Sequence, residues 1–232
     1  MTTEELKKEI EKIINETFVK IGDIYKYNRE GEKSLRLSCG RLVFPLYRTK
    51  SIRVSEQELR FLFVEQFCAK AQELNLLYSI ETPTEHKYNF TGDEPKRDDE
   101  NGKSGCLDLV LHNAETSKRI CIIEFKAHNP SKKQYKKDFL KLKEELSSSG
   151  NRYEEDAFGY FVQIVTNTKE KTDPKEGVIN TTKEAINKNV SNLYCSKVKH
   201  ICYSLQNGKE GKIIIGGENC KKDDNEEIKG CN

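Results

Sequence analysis

Apolar residues recur along the chain with two spacings, which predict helices and strands. Spacings of three and four residues predict an amphipathic helix over residues 3–20 and a second helix over residues 55–74. Apolar side chains cover most of the circumference of the second helix, which predicts burial on most of its sides. Two more helices are predicted, a basic amphipathic one over residues 131–146 and another over residues 181–193.

Shorter apolar runs between these helices predict strands. The runs cover residues 35–37, 42–44, 76–81, 105–112, 119–128, 159–166, 198–205 and 212–215. Pro83 is expected to stop the third run, residues 91–104 are expected to form a loop, and Asn207-Gly208 is expected to turn a terminal hairpin. Over residues 55–166 the order is helix, three strands, helix and strand. This order predicts an α/β fold in which helices flank both faces of a mixed central sheet.

The length of 232 residues suits one domain. We expect that domain to span residues 1–217, with its core at about 55–166, and residues 218–232 to form a flexible polar tail. Charged residues make up 34% of the chain, but the formal net charge is only +2, so the two signs are interspersed. Such a chain would not coat nucleic acid through its overall charge, so any nucleic-acid contact has to come from a local patch.

Neither a membrane partner nor secretion is expected from the apolar runs. The mean hydropathy is −0.79, and no run approaches the roughly 20 apolar residues of a membrane span. The N-terminal residues also lack the apolar segment of a signal peptide, which favours a cytoplasmic protein. The sequence contains no P-loop and no dinucleotide-binding fingerprint, so those nucleotide-dependent classes are not indicated.

The eight cysteines include no Cys-x-x-Cys pair, which favours reduced thiols over a disulfide framework. Four of them lie within apolar patterns and are expected to be buried as small hydrophobic side chains: Cys39, Cys68, Cys106 and Cys121. A zinc site near Cys195, His200 and Cys202 is the less favoured alternative, because their spacing matches no common zinc pattern.

Two adjacent predicted strands, residues 105–112 and 119–128, carry the residues with the clearest chemical potential. Asp108 lies on the first strand, and Glu124 and Lys126 lie near the end of the second. Because side chains alternate along a strand, Glu124 and Lys126 project to the same face, which would set them side by side. If the strands pair, Asp108 comes close to both. Two carboxylates and a lysine at neighbouring strand ends can hold a divalent cation and direct a water molecule at a phosphate.

This combination resembles the PD-(D/E)XK nuclease superfamily, which has the restriction-endonuclease-like fold. The matching parts are a buried helix that carries a glutamate, Asp108 on one strand, the Glu-Phe-Lys segment 124–126 on the next, then a helix and a strand. The resemblance covers residues 55–166, and Leu107 stands where the family name has proline. It implies an αβββαβ core with additions at the N- and C-terminal ends.

The resemblance implies an Mg²⁺-dependent endonuclease that hydrolyses phosphodiester bonds in nucleic acid, with DNA favoured over RNA. It implies that Asp108, Glu124 and the backbone carbonyl of Phe125 bind the Mg²⁺, for which Mn²⁺ can substitute. It implies that Lys126 orients or activates the attacking water and offsets negative charge in the transition state. The sequence does not exclude a homodimer.

The glutamate that the family carries on its first helix has more than one candidate here. Glu58 is the first, although it also fits as the acid of a capping box that begins at Ser55. Glu65 lies on the same stripe of the helix and is a weaker candidate. Glu81, on the following predicted strand, is a candidate for a residue that contacts the metal ligands without binding the metal itself.

Lysines on the helix after the motif form a possible nucleic-acid contact. Four of them are candidates for binding phosphate groups: Lys132, Lys133, Lys136 and Lys137. The alternative is that they belong to the solvated face of an amphipathic helix and are balanced by the acids Asp138, Glu144 and Glu145.

Two other functions compete with the nuclease hypothesis. In the first, the same fold has inactive chemistry and serves as a module that binds nucleic acid or a partner protein. In the second, the motif is accidental, and Glu124 and Lys126 form an ion pair on a solvated face of a globular interaction protein. The complete set of Asp108, Glu124 and Lys126 favours the enzyme over both.

Overall fold

The structure, a computed structural model, describes residues 1–30, 42–46, 48, 53–91, 96–127, 132–147, 151–166, 197–206 and 209–215. The helices in these ranges are α1 (Thr3–Glu30), α2 (Glu56–Cys68) and α3 (Lys132–Ser147). The strands are β1 (Leu76–Asn89), β2 (Lys96–Arg97), β3 (Lys103–Asn113), β4 (Arg119–Ala127), β5 (Tyr153–Thr166), β6 (Val198–Gln206) and β7 (Lys209–Ile215).

The strands form one mixed sheet in the order β2-β1-β3-β4-β5-β6-β7. Strand β2 is only two residues long and pairs with the end of β1. Strands β1, β3 and β4 are antiparallel neighbours, β4, β5 and β6 are parallel, and β6 and β7 form the predicted antiparallel hairpin. Helix α3 lies in the connection between the parallel strands β4 and β5, a connection that is usually helical.

Helices cover both faces of the sheet, as predicted. On one face Ile123 and Phe125 of β4 belong to the hydrophobic core that includes α1 and α2. On the other face Ile122 belongs to the core that includes α3. The alternation of side chains along β4 therefore directs residues 122, 124 and 126 toward α3. Strand β5 is buried from Ala157 to Ile164, which confirms the buried position predicted from its continuous apolar run.

Several element boundaries differ from the predicted ones. Helix α1 continues ten residues further than predicted, to Glu30, and α2 ends at Cys68 instead of residue 74. Strand β1 continues through Pro83, where β1 pairs only with β3 and is an edge strand, the kind of strand in which proline is tolerated. Residues 91–104 are not only a loop, because they include β2 and the start of β3.

Other predictions about burial and extended structure are confirmed only in part. One side of helix α2 faces solvent, since 62% of Phe61 is exposed, whereas its other sides are buried or partly buried. The thiols of Cys68 and Cys106 are exposed, whereas Cys121 is buried as predicted. Residues 42–44 form no strand. The predicted elements at 35–37 and 181–193, Cys39, Cys195 and the tail after residue 217 lie outside the described residues. None of the described helices is long and apolar enough to cross a membrane.

Candidate active site

Asp108 and Glu124 meet where strands β3 and β4 stop pairing. The paired positions end at Leu109 and Ile123, and Asp108 and Glu124 are the next residues along the two strands. Beyond that point, the backbone N–H of Phe125 donates a hydrogen bond to Oδ2 of Asp108, with N and O separated by 2.8 Å. The aspartate side chain therefore takes the place of a strand-to-strand hydrogen bond and is held beside Glu124.

Glu124 is almost completely buried, with 1% of its surface exposed, and is paired with a lysine from α3. Nζ of Lys141 lies 2.7 Å from Oε1 of Glu124. The same ammonium donates to the backbone carbonyl of Cys106 at 2.7 Å and lies 3.2 Å from Oδ1 of Asp138. Two hydrogen bonds and one further ion pair therefore hold this buried ammonium.

Lys126 lies on the same face of the sheet as Glu124, but its ammonium pairs with two other carboxylates. Its Nζ is 3.0 Å from Oδ2 of Asp138 and 3.3 Å from Oε1 of Glu56, at the start of α2. Asp138 therefore bridges Lys126 and Lys141. The expected side-by-side arrangement of Glu124 and Lys126 is thus modified, because each of them pairs with a residue of α3.

Helix α3 brings a polar stripe to the sheet. Asp138, Lys141 and Glu145 are spaced three and four residues apart, which places them on one side of the helix. Their exposed fractions are 5%, 4% and 0%. The suggestion that Asp138 and Glu145 balance a solvated lysine face is therefore wrong. This side of α3 packs against the sheet, where each polar group finds a partner.

Glu145 anchors α3 with the largest set of contacts in this stripe. Its carboxylate accepts hydrogen bonds from two backbone N–H groups and two hydroxyls and pairs with one guanidinium, the donors being Glu85, His86, Tyr88, Tyr153 and Arg119. These donors come from β1, β4 and β5. Glu145 therefore fixes the position of α3 against the sheet, and with it the positions of Asp138 and Lys141.

The burial of Glu124 governs its protonation. Burial raises the pKa of Glu124 well above the ordinary value, the ammonium of Lys141 acts in the opposite direction, and the carboxylates of Asp108 and Asp138 raise it further. Loss of hydration penalises the charged form of a carboxyl group. A cation in contact with Glu124 is therefore needed to favour its carboxylate.

The two lysines of the site remain charged. Burial alone would lower the pKa of Lys126, but the carboxylates of Asp138 and Glu56 outweigh burial, so the pKa is raised above the ordinary value. The pKa of Lys141 is raised in the same way, with burial opposed by Glu124 and Asp138. At neutral pH Lys126 is consequently an ammonium that can donate hydrogen bonds and supply positive charge, and it has no free lone pair to accept a proton.

The two candidate helix acids have partners of their own. The carboxylate of Glu58 accepts a hydrogen bond from the backbone N–H of Ser55 at 2.9 Å and another from the Ser55 hydroxyl, which is the arrangement of a capping box. The carboxylate of Glu65 is exposed and pairs with Lys20 of α1 at 3.1 Å. The α2 acid in direct contact with the site lysine is instead Glu56.

Glu81 is connected to Asp108 through the side chain of Arg60. Its carboxylate pairs with the guanidinium of Arg60, which also hydrogen-bonds the side chain of Gln57 and reaches the backbone carbonyl of Asp108 at 3.5 Å. The φ angle of Glu81 is 49°, in the left-handed region that is unfavourable for a glutamate. This strained residue and Arg60 connect α2 and β1 to the strand that carries Asp108.

The basic helix is described only in part. Lys137 is exposed, and its Nζ lies 4.5 Å from the centre of the Phe90 ring, a cation–π contact. Lys132, Lys133 and Lys136 lie in the first two turns of α3, and their side chains are outside the described part of the structure. Their contact with nucleic acid stays a prediction.

Three site residues were not identified from the sequence: Glu56, Asp138 and Lys141. Asp138 and Lys141 share a helix face, but the same pattern is common on solvated helices, so spacing alone could not separate the two cases. Glu56 precedes Glu58 in the first turn of α2, and the capping-box pattern drew attention to Glu58. The one sequence feature that could have pointed to Asp138 and Lys141 is the high density of charged residues on the helix that directly follows the motif.

The residues present fit a magnesium ion in number and chemistry. Among the described residues no group of three or more His, Cys, Asp and Glu side chains could hold a metal ion. Mg²⁺, however, keeps several waters and is usually bound through only one or two carboxylates. Asp108 and Glu124 supply two adjacent carboxylates, although one oxygen of Glu124 is in contact with Lys141.

Comparisons with protein families, curated proteins and solved structures find no match to this chain. Membership of the PD-(D/E)XK superfamily therefore stays a prediction that depends on the motif. The function of the site has to be argued from its own residues and their chemistry.

Proposed function

We propose that this protein is a metal-dependent nuclease that hydrolyses phosphodiester bonds in nucleic acid, with DNA favoured over RNA. The observation that carries the proposal is the meeting of Asp108 and Glu124 at the end of their strand pairing, with Lys126 on the same face as Glu124. A restriction-endonuclease-like core and membership of the PD-(D/E)XK superfamily are part of this proposal. The order of α2, β1, β3, β4, α3 and β5 along the chain supports it.

In this proposal Asp108 and Glu124 hold Mg²⁺ or Mn²⁺, together with the backbone carbonyl of Phe125. When bound, such an ion polarises a phosphate oxygen and lowers the pKa of a bound water molecule. The N–H of Phe125 orients Asp108 through the hydrogen bond to its Oδ2. The burial of Glu124 keeps bulk water away from that carboxylate and strengthens its attraction for a cation.

Lys126 acts on the substrate as a positive charge. Its raised pKa keeps the ammonium protonated, so it stabilises negative charge that develops on the phosphate and orients the attacking water by hydrogen bonding. Asp138 and Glu56 hold the ammonium from two different helices. This support restricts its position before the substrate arrives, which lowers the cost of ordering it during the reaction.

A second function, a binding module without cleavage, is favoured by one observation. Lys141 pairs with Glu124, and Lys126 pairs with Asp138 and Glu56, so the buried acids already have cationic partners within the chain. A cluster of this kind can be a purely structural ion network. The binding module would show salt-sensitive affinity for nucleic acid without metal-dependent cleavage.

Cleavage of a substrate panel tests the nuclease proposal. Plasmid, linear duplex, single-stranded DNA and RNA are incubated with Mg²⁺, with Mn²⁺ and with chelator. We expect metal-dependent cleavage by the wild-type protein and a loss of at least about 100-fold in Lys126→Ala and Asp108→Asn, the scale seen when a single electrostatic contact is removed from an active site. Lys20→Ala and Glu65→Gln, which alter a surface ion pair distant in sequence from the motif, are matched controls and should keep full activity.

The two functions give different results in this experiment. Salt-sensitive binding with no cleavage under any metal condition would favour the binding module. Cleavage that survives both Lys126→Ala and Asp108→Asn would rule out this site as the source of the activity.

A further inference from the structure

Lys141 lies where a cation bound to Oε1 of Glu124 would lie. Its Nζ is 2.7 Å from Oε1 of Glu124, and the side chains of both residues are at least 95% buried. Neither charge is screened by solvent, so the carboxylate of Glu124 depends on the ammonium of Lys141. The contact therefore offsets part of the cost of burying Glu124 as a carboxylate.

The route of the Lys141 side chain along the sheet depends on Gly105. A Cβ atom at position 105 would lie 3.2 Å from Cδ of Lys141, closer than most real contacts of this kind. The absence of a side chain at Gly105 thus leaves the space through which the lysine reaches Glu124 and the carbonyl of Cys106.

Two positive groups on the same oxygen of Glu124 would repel each other. A divalent ion within about 4 Å of the Lys141 ammonium would be strongly repelled, because the effective dielectric constant of a protein site is well below that of water. Asp138 offers Lys141 another acceptor, because its Oδ1 is already 3.2 Å from Nζ. The lysine can therefore give up Glu124 and keep a carboxylate partner.

We propose that Lys141 is a built-in competitor of the metal ion: its ammonium pairs with Glu124 in the metal-free protein and leaves Glu124 when a divalent cation binds. This inference rests on the proposed function, because it takes Asp108 and Glu124 as the metal ligands. It goes beyond that function by giving Lys141 a role that the motif does not contain. Lys141 is a positioning residue that keeps the buried acid paired and weakens metal affinity.

Metal binding measured without nucleic acid tests the competition directly. Isothermal titration calorimetry with Mg²⁺ and with Mn²⁺ compares the wild-type protein with Lys141→Met. We expect the variant to bind the metal about tenfold more tightly or better, because the competing contact is a hydrogen bond between two charged groups. Circular dichroism establishes that the variant is folded.

Loss of one positive charge would by itself tighten metal binding, so Lys126→Met is the matched control. It removes the same charge from the same cluster, but Lys126 contacts Asp138 and Glu56 and not Glu124. We expect a smaller gain of affinity in Lys126→Met than in Lys141→Met. Lys20→Met, at the surface pair with Glu65, should bind the metal as the wild-type protein does.

A second measurement observes the Lys141 ammonium of the wild-type protein directly. Buried, hydrogen-bonded lysine ammonium groups give ¹H–¹⁵N NMR signals, and the signal of Lys141 is expected to shift or disappear as Mg²⁺ is added. The midpoint should agree with the affinity from calorimetry. Lys141→Arg assigns the signal by its loss.

Three results would overturn the inference. Lys141→Met could bind the metal no more tightly than Lys126→Met, or the Lys141 signal could stay unchanged when metal saturates the wild-type protein. Either result, with metal-dependent cleavage intact, rejects the competition and leaves the nuclease proposal standing. If neither the wild-type protein nor Lys141→Met binds a metal ion and neither cleaves nucleic acid, both proposals fail together.

Discussion

The imidazole of His200 is fully buried between the sheet and α3. The ring of Phe161 packs against it at a centroid distance of 5.1 Å, and the ring of Phe139 of α3 lies 6.3 Å away. Its Nε2 lies 3.2 Å from Oε1 of Gln163, the residue that is opposite Lys126 in the pairing of β4 and β5. Burial lowers the pKa of His200 to about 3, because an imidazolium at this place would lose its hydration.

The neutral His200 makes stability depend on pH. In the unfolded chain a histidine has a pKa of about 6.5, so the unfolded state binds one proton more than the folded state when the pH lies between that value and about 3. The contribution of this group to the free energy of unfolding is complete above pH 6.5 and is lost as the pH falls. The slope is about 1 kcal/mol for each pH unit once the unfolded histidine is protonated.

We expect His200→Gln to lose less stability than the wild-type protein between pH 6.5 and pH 4.5, by about 1 kcal/mol per pH unit. Glutamine can still hydrogen-bond Gln163 but does not titrate. Urea denaturation at several pH values measures the free energy of unfolding of both proteins. The contributions of the other titrating groups are the same in both and cancel in the difference. His112→Gln, at a histidine that is only half-buried, is the control and should keep more of the wild-type slope. Equal pH dependence in the wild-type protein and His200→Gln would show that His200 is not the responsible group.

Helix α2 illustrates how one element serves both stability and the site. The helix begins at Glu56, whose carboxylate lies 3.3 Å from Nζ of Lys126. Two residues later, Glu58 turns back to the backbone N–H of Ser55. Successive acids of one helical turn thus point to different partners, because neighbouring residues on a helix differ in direction by about 100°.

We expect Glu58→Ala to lower the free energy of unfolding by about 1 kcal/mol and to leave metal-dependent cleavage unchanged, because its carboxylate serves the capping box. Urea denaturation and the cleavage assay measure the two effects on the same sample. Glu56→Ala is the matched control on the same turn and should reduce cleavage, since it removes one partner of Lys126. A loss of cleavage in Glu58→Ala at unchanged stability would instead assign Glu58 to the active site.

At the scale of the whole molecule, α3 holds the two parts of the sheet together. Glu145 connects the antiparallel part, through β1, with the parallel part, through Tyr153 at the start of β5. Arg119, at the start of β4, contacts both the Glu145 carboxylate and the carbonyl of Pro83. The unexpected continuation of β1 beyond Pro83 is thus tied to the same network that positions α3.

We expect Glu145→Gln to lower the free energy of unfolding by about 2–4 kcal/mol, because it replaces one carboxylate oxygen, an acceptor of several buried hydrogen bonds, by an NH₂ donor and leaves Arg119 without its anion. Glu144→Gln is the matched control. This neighbouring glutamate is partly exposed and lies 3.9 Å from Arg97, so its loss should change stability by about 0.5 kcal/mol or less. Urea denaturation of both variants measures the difference. Equal small effects would contradict the anchoring role of Glu145.

The sequence alone determined the features that depend on local periodicity. Alternation along a strand put Glu124 and Lys126 on one face, and the order of apolar runs predicted the flanked mixed sheet and the buried strand β5. These predictions succeed because a period of two or of 3.6 residues is set by the backbone itself. The capping box at Ser55 was predictable for the same reason, since all of its contacts lie within one turn.

Only the tertiary structure decided which charged residues are buried and with what partners. Asp138 and Lys141 have the sequence surroundings of a solvated helix, yet they face Glu124 and Lys126, because α3 packs with that side against the sheet. Phe61 shows the opposite case, because its apolar side chain suggests a core position but is exposed. The free energy of burying a charge depends on partners that are far away in the chain, and local spacing contains no information about where those partners will be.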